Sequence, residues 1–255
     1  MNGSPRLIIV EDANAVAAAA AEVVIDAARQ AVAARGVFHW CATGGSTPAA
    51  LYAALRDESL SQKMPWNKTH IWFGDERHVA RMDPLSNVSL VDELLILRGK
   101  GYLAVGDSGV QVHAWPTQMA GPKAVSAYLM ELDTFNVPLD EKGFPIFDLL
   151  MIGVGSDGHC LSVFPGSRLT QADAPVASAV DAPTHIDPKV PRLSFSLGVL
   201  SRARSVCASV VGAGKVQALS SIFDTSCSTS DFPAKAALLD TATWIVDRAA
   251  SDGLG

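Results

Sequence analysis

The sequence predicts an α/β fold in which helices cover both faces of a mainly parallel sheet, and three observations point to it. Short apolar runs rich in β-branched and aromatic residues recur along the chain, helical patterns separate them, and glycine and polar clusters follow directly after three of the runs. The expected strands lie at residues 7–10, 37–42, 70–73, 110–115, 147–152, 176–180, 193–197 and 205–211. The first helix, over 13–35, is an alanine-rich stretch that Gly36 stops. Its apolarity invites comparison with a membrane span, but Glu22, Asp26 and Arg29 lie inside it and each is costly in lipid, so an amphipathic soluble helix is expected. The second, over 48–60, starts at Pro48, which suits a first helical position, with Ser46 or Thr47 as the cap. A third, over 86–98, opens on Pro84-Leu85-Ser86-Asn87, another capped start, and two more are expected at 122–135 and 214–223. The Pro- and Asp-rich stretch 174–191 is too short for a domain boundary. A single domain over residues 1–255 is therefore expected, with room for a small appended lobe.

Of the 255 residues, 49% are hydrophobic and 18% charged, which excludes a disordered chain and a small disulfide scaffold. With 20 Lys and Arg against 26 Asp and Glu, the net charge is −6. Sequence-independent nucleic-acid binding needs a basic face that this balance argues against, and an anionic substrate would need local positive charge. Cys41, Cys160, Cys207 and Cys227 never form a C-x-x-C pair, so reduced thiols in a cytoplasmic protein are expected rather than a zinc or redox motif. Residues 1–6 carry no apolar signal core, and no membrane partner is expected. The sequons at Asn67 and Asn87 then say nothing about glycosylation.

Open α/β sheets bind ligands beyond the carboxyl ends of their strands, so the clusters there carry the functional reading. After 37–42 comes Thr43-Gly44-Gly45-Ser46-Thr47-Pro48, whose glycines allow close approach and whose hydroxyls and free N–H groups at a helix start suit an anion. After 70–73 comes Gly74-Asp75-Glu76-Arg77-His78, two carboxylates, a guanidinium and an imidazole on what reads as a loop. After 147–152 comes Gly153-Val154-Gly155-Ser156-Asp157-Gly158-His159, a formal G-x-G-x-x-G. Pro165 and Gly166 cut short the helix that a dinucleotide site needs, so the glycines are read as freeing Asp157 and His159 to project into a cleft. Arg192 and the Gly212-Ala213-Gly214-Lys215 turn offer a bidentate and a point charge for a phosphate. His39, Trp40 and Trp72 are expected in the core. No ligand-spaced histidine pair occurs among His70, His78, His113 and His185, so no metal is expected, and no G-x-S-x-G elbow makes Ser46 a nucleophile.

Thr43–Pro48, Gly74-Asp75-Glu76-Arg77, Ser86-Asn87, Gly153–Gly166, Arg192 and Gly214-Lys215 resemble, in order and spacing, the 6-phosphogluconolactonase family, and the likeness continues to Trp244–Ala250. The resemblance implies a Rossmann-like domain of the sugar-phosphate isomerase type, shared with glucosamine-6-phosphate deaminases. It implies a carboxylic ester hydrolase that opens 6-phospho-D-glucono-1,5-lactone in the oxidative pentose phosphate pathway, without metal or organic cofactor, and a monomer is expected. Under it His159 is the general base on water, Asp157 orients it, Arg77 or a backbone N–H stabilises the oxyanion, and Asp75 holds Arg77 or sugar hydroxyls. The phosphate is expected on Gly44, Gly45, Ser46 and Thr47, neutralised by Arg192 and Lys215.

Two other functions remain in view. A deaminase pattern has an acid just before Pro-Gly where this chain has Phe164, and normally an aromatic where it has Arg77. Sugar-phosphate sensors related to this family carry an attached helix-turn-helix, for which no spare segment is expected, since the first strand starts by Leu7 and the chain ends soon after Ala250. The chain departs from the lactonase pattern at Val88, Ser156 and Cys160-Leu161, which bear on pocket shape and leave the ionisable residues intact.

Overall fold

Parallel strands with both faces covered read as unbroken apolar runs, and three of the expected runs behave in that way. The computed structural model describes residues 4–97 and 109–254. Among them the strands are β1 (Arg6–Val10), β2 (Phe38–Ala42), β3 (Thr69–Phe73), β4 (Asp75–Arg77), β5 (Gln111–Val112), β6 (Leu149–Ile152), β7 (Ala177–Val180), β8 (Arg192–Phe195), β9 (Val206–Val210) and β10 (Ala242–Asp247). The helices are α1 (Ala13–Arg35), α2 (Ser46–Ala54), α3 (Glu58–Ser61), α4 (Asn87–Val91), α5 (Gly121–Thr134), α6 (Val216–Phe223) and α7 (Arg248–Ser251). One sheet, ordered β1-β10-β9-β6-β2-β3-β5, is parallel at every pairing, and β2, β6 and β9 in it are buried at every residue. A second sheet, ordered β4-β8-β7, is antiparallel.

Helix α1 shows where the alanine-rich stretch buries its apolar face. Val16, Ala20, Val24, Ala28 and Ala31 recur at helical spacing and are buried, and the helix packs on β2, β9 and β10. Asp12 caps its start by accepting from the Ala15 N–H, and the Gly36 N–H closes its end on the Val32 carbonyl. Among the described residues no helix is long and apolar enough to cross a membrane. His39, Trp40 and Trp72 lie in the core as expected.

The strand order positions the site. From β2 the chain moves on to β3 and β5, whereas β6, the other neighbour of β2, leads to β9 and β10 on the far side. The connections after β2 and β6 thus diverge, which opens a crevice at their carboxyl ends. On one side, β3 ends where Gly74 takes the chain into the second sheet, the Gly74 carbonyl accepting from the Phe195 N–H at 3.0 Å.

Several expected elements change. The Asp75–Arg77 segment is strand β4, not a loop, because β8 supplies a pairing partner that lies far along the chain. Strand β10 was not expected, although its Thr-Trp-Ile-Val run carries the β signal. The helix expected over 48–60 begins at Ser46 and divides into α2 and α3, and that expected over 86–98 becomes α4 plus one π-helical turn, Asp92–Ile96. Its last expected residue, 98, lies outside the described residues. The expected 214–223 helix starts at Val216, behind a 3-10 turn, Ala213–Lys215.

Two buried carboxylates lock the walls of the crevice. Glu76 alternates with Asp75 and Arg77 along β4 and so faces the other way. It accepts from the N–H groups of Arg77, Asn87 and Val88 at 2.7, 2.6 and 2.9 Å and from the Ser86 hydroxyl at 3.1 Å, clamping the start of α4 to β4. Asp247 caps α7 through the Ala250 N–H at 2.9 Å and holds the Gly212 N–H at 3.0 Å, which fixes the turn leading to Lys215.

Removing that second clamp by Asp247→Ala should cost about 1–3 kcal/mol of stability in denaturant unfolding, the range for a lost cap together with a part-buried donor left unpaired. Glu76 gives a pH signature. Burial pushes its carboxyl up to about 7, while the N–H groups of Asn87, Val88 and Arg77 pull it down. In the unfolded chain it titrates at about 4.3, so between these values the folded state holds a proton that the unfolded chain has lost. Its stabilising contribution is complete below that window and disappears as pH rises through about 7. Glu76→Gln should flatten the dependence of Tm on pH across this window, and an unchanged slope would assign it to other groups.

Candidate active site

The connections after β2 and β6 meet β4 in a cleft of about 480 Å³, a volume suited to a small molecule. Gly44, Gly45, Ser46 and Thr47 line it from the start of α2, Asp75 and Arg77 from β4, His159 from the loop after β6, and Lys215 from the turn ahead of α6. Helix α2 has Gly45 as its cap and no side-chain capping bond, a correction to the expected Ser46 or Thr47 cap. Its first N–H groups are left for a ligand, and the helix dipole favours a negative one.

Period-two alternation puts Asp75 and Arg77 on one face of β4. They do not pair directly. Asp75 accepts from the Ser162 hydroxyl at 2.5 Å and from Asn87 Nδ2 at 3.3 Å, and Arg77 Nη1 donates to the Leu85 carbonyl at 3.2 Å and to Asn87 Oδ1. Asn87 therefore stands between the two charges, its Nδ2 also donating to the Asp75 carbonyl at 2.8 Å. A Cβ on Gly44 would overlap the Asn87 amide, so the loop after β2 needs glycine there. The sequence marked Asn87 as a helix start and gave no sign of this bridge, which exists only once β4 and α4 are packed.

Arg192 departs from its expected place. It is paired across the small sheet with Arg77 but does not line the cleft. Its side chain is buried, with Nη2 donating to the Pro188 carbonyl at 2.6 Å and Nε and Nη1 without a partner. Burial and then the neighbouring Arg77 charge lower its pKa, while Asp75 and Glu76 oppose the shift.

The loop after β6 carries a pair of groups in hydrogen-bond contact. His159 Nδ1 lies 2.6 Å from Asp157 Oδ1, and the His159 N–H donates to the same oxygen at 3.1 Å. Gly155 is required at this point, since a Cβ would strike both the imidazole and the carboxylate. His185, a residue that the sequence reading set aside, brings Nε2 to 2.8 Å from Asp157 Oδ2. Burial pushes the Asp157 carboxyl up, but the His159 hydrogen bond and charge, then the His185 bond, outweigh it and hold the group well below the usual carboxylate range. An ionised Asp157 accepts only, so His159 carries its proton on Nδ1 and leaves Nε2 as a base. The Phe164 ring packs 4.8 Å from the His159 ring, centroid to centroid. Lys215, half-buried, has its pKa lowered by burial and supported by the Asp157 charge. Cys160 is buried, which pushes its thiol well above the usual range, with Asp75 adding to the shift. Among the described residues no group of three or more His, Cys, Asp or Glu is placed to hold a metal ion.

The chain is similar to several known proteins. A model of the family described as glucosamine-6-phosphate isomerases/6-phosphogluconolactonase matches residues 11–245. A 6-phosphogluconolactonase from Synechocystis sp. is 33% identical over 88% of each chain, and one from Streptomyces coelicolor is 30% identical over 100% of this chain and 96% of its own. The solved structure of 6-phosphogluconolactonase from Trypanosoma brucei shares the fold, with a TM-score of 0.83 over 99% of this chain and 100% of that one at 23% identity. The chain belongs to the glucosamine-6-phosphate isomerase/6-phosphogluconolactonase family.

Proposed function

We propose that the chain is a 6-phosphogluconolactonase, which hydrolyses 6-phospho-D-glucono-1,5-lactone to 6-phosphogluconate in the pentose phosphate pathway. The observation that carries this reading is the Asp157–His159 pair, which leaves a bare Nε2 in a cleft whose other wall holds Arg77. The names of the Synechocystis and Streptomyces relatives support the same reaction. A δ-lactone is an activated ester, so water activation and oxyanion stabilisation suffice without a covalent nucleophile. His159 Nε2 takes a proton from water as its oxygen attacks C1, Asp157 stabilises the imidazolium, and Arg77 or a loop N–H meets the developing oxyanion. The C1–ring oxygen bond then breaks, and the imidazolium returns its proton to the departing oxygen.

The substrate phosphate rests on Gly44, Gly45, Ser46 and Thr47 with Lys215 as the contacting cation. Arg192 contributes positive potential from beside Arg77, its partner across β4 and β8. Asp75 acts through Asn87 and Ser162, holding the wall on which Arg77 is mounted. The same reading takes residues 1–255 as a single domain acting as a cytoplasmic monomer, without metal or organic cofactor. Phe164 speaks against the deaminase reaction, because an aromatic ring packs on His159 where that reaction places a carboxylate.

Release of acid from fresh lactone, corrected for spontaneous hydrolysis, tests the assignment, and turnover of glucosamine 6-phosphate in its place would overturn it. His159→Ala should lower kcat by about 10²- to 10⁴-fold with little change in substrate binding. An unchanged kcat removes His159 from the mechanism. Lys215→Ala should mainly raise KM, and loss of turnover at saturating substrate would show that the phosphate assignment is too simple.

A further inference from the structure

Asp157 serves two imidazoles. Oδ1 accepts from the ring Nδ1–H and the backbone N–H of His159, and Oδ2 accepts from His185 Nε2–H at 2.8 Å. The two rings also share Phe164, which lies 4.8 Å from His159 and 5.8 Å, edge to face, from His185. His185 reaches the site from the connection between β7 and β8, and the next two residues of that connection, Ile186 and Asp187, line the cleft. Half of its side chain is exposed, whereas Asp157 is 18% exposed.

We infer that His185 is a positioning residue that divides the charge of Asp157 with His159 and so sets how strongly the base holds its proton. The inference rests on the reading of His159 as general base. A carboxylate with its second oxygen engaged attracts an imidazolium less than one with that oxygen free. Without His185 the full charge of Asp157 falls on His159, whose protonated form becomes more stable, and more of the base is disabled at low pH. Loss of positive charge from a protonated His185 acts in the same direction. The other charged groups facing this pair are Lys215 from the turn ahead of α6, Asp75 and Arg77 from β4, and Asp187 from the connection that carries His185. They are common to every variant in the test, so their effect cancels in the comparison.

The experiment compares wild type, His185→Ala and His185→Gln, the last of which keeps an N–H donor for Oδ2. Two quantities are read in each: the acidic limb of kcat/KM for lactone hydrolysis, and the titration of the His159 ring followed by NMR. In His185→Ala both should move up by about half a pH unit, a roughly three-fold gain in proton affinity. His185→Gln should return both close to wild type. An unmoved titration in His185→Ala, or an equal shift in His185→Gln, would overturn the inference and reduce His185 to packing on Phe164. A wild-type protein without lactonase activity would instead remove the catalytic reading, and the NMR titration would still decide whether the charge is divided.

Discussion

Two strands that lie side by side but send the chain in opposite directions set the position of everything functional in this protein. β2 and β6 are hydrogen-bonded neighbours in the parallel sheet, and the next strands of that sheet lie on opposite sides of the pair, β3 beside β2 and β9 beside β6. No backbone fills the gap between those departures, so the loop Thr43–Pro48 and the loop Gly153–His159 face each other across it. The first brings the uncapped start of α2 and the second an imidazole fixed by a carboxylate. A free helix start and an imidazole–carboxylate pair are thereby placed together by topology.

The charge balance of the cleft follows from where each group is buried. In an acidic chain the cations that line it are few, and both Arg77 and Lys215 are kept beside partners that favour their charged forms or hold their geometry. Asp157 is the reverse case, a carboxylate held ionised against its burial by the imidazole that it orients. Glu76, one residue from Arg77, feels burial more strongly than its backbone hydrogen bonds offset and is pushed up to about 7. Asp157 and Glu76 thus take different roles because their partners differ, imidazoles on the one and backbone N–H groups under deep burial on the other.

Much of the catalytic surface was legible in the sequence because its chemistry sits in short, contiguous clusters after strands. Asp157 and His159 are two residues apart, and a glycine-flanked loop was enough to mark them. The residues that escaped notice act over long separations. Ser162 meets Asp75 across 87 positions, and His185 meets Asp157 across 28. Asn87 had a sufficient local explanation as the start of a helix, which concealed its second role. Strand β4 was read as a loop since three charged residues carry no apolar pattern, and only the register with β8 makes them a strand. Arg192 is a mixed case: its register with Arg77 puts it on the same face of the small sheet, yet its side chain is buried and bonded to the Pro188 carbonyl, which its place in the sequence did not announce.

The step at Gly74, where the chain passes from the parallel sheet into the antiparallel one, gives the cleft two jaws of separate construction. His159 inherits its position from the large sheet through β6, while Asp75 and Arg77 inherit theirs from the small sheet through the register of β4 with β8. The gap between proton acceptor and facing guanidinium is a distance between two frameworks, joined in sequence here by a single glycine. Changes in the β7–β8 connection can therefore reach both jaws, since the connection carries His185, which bonds Asp157, and Ile186 and Asp187, which line the opening.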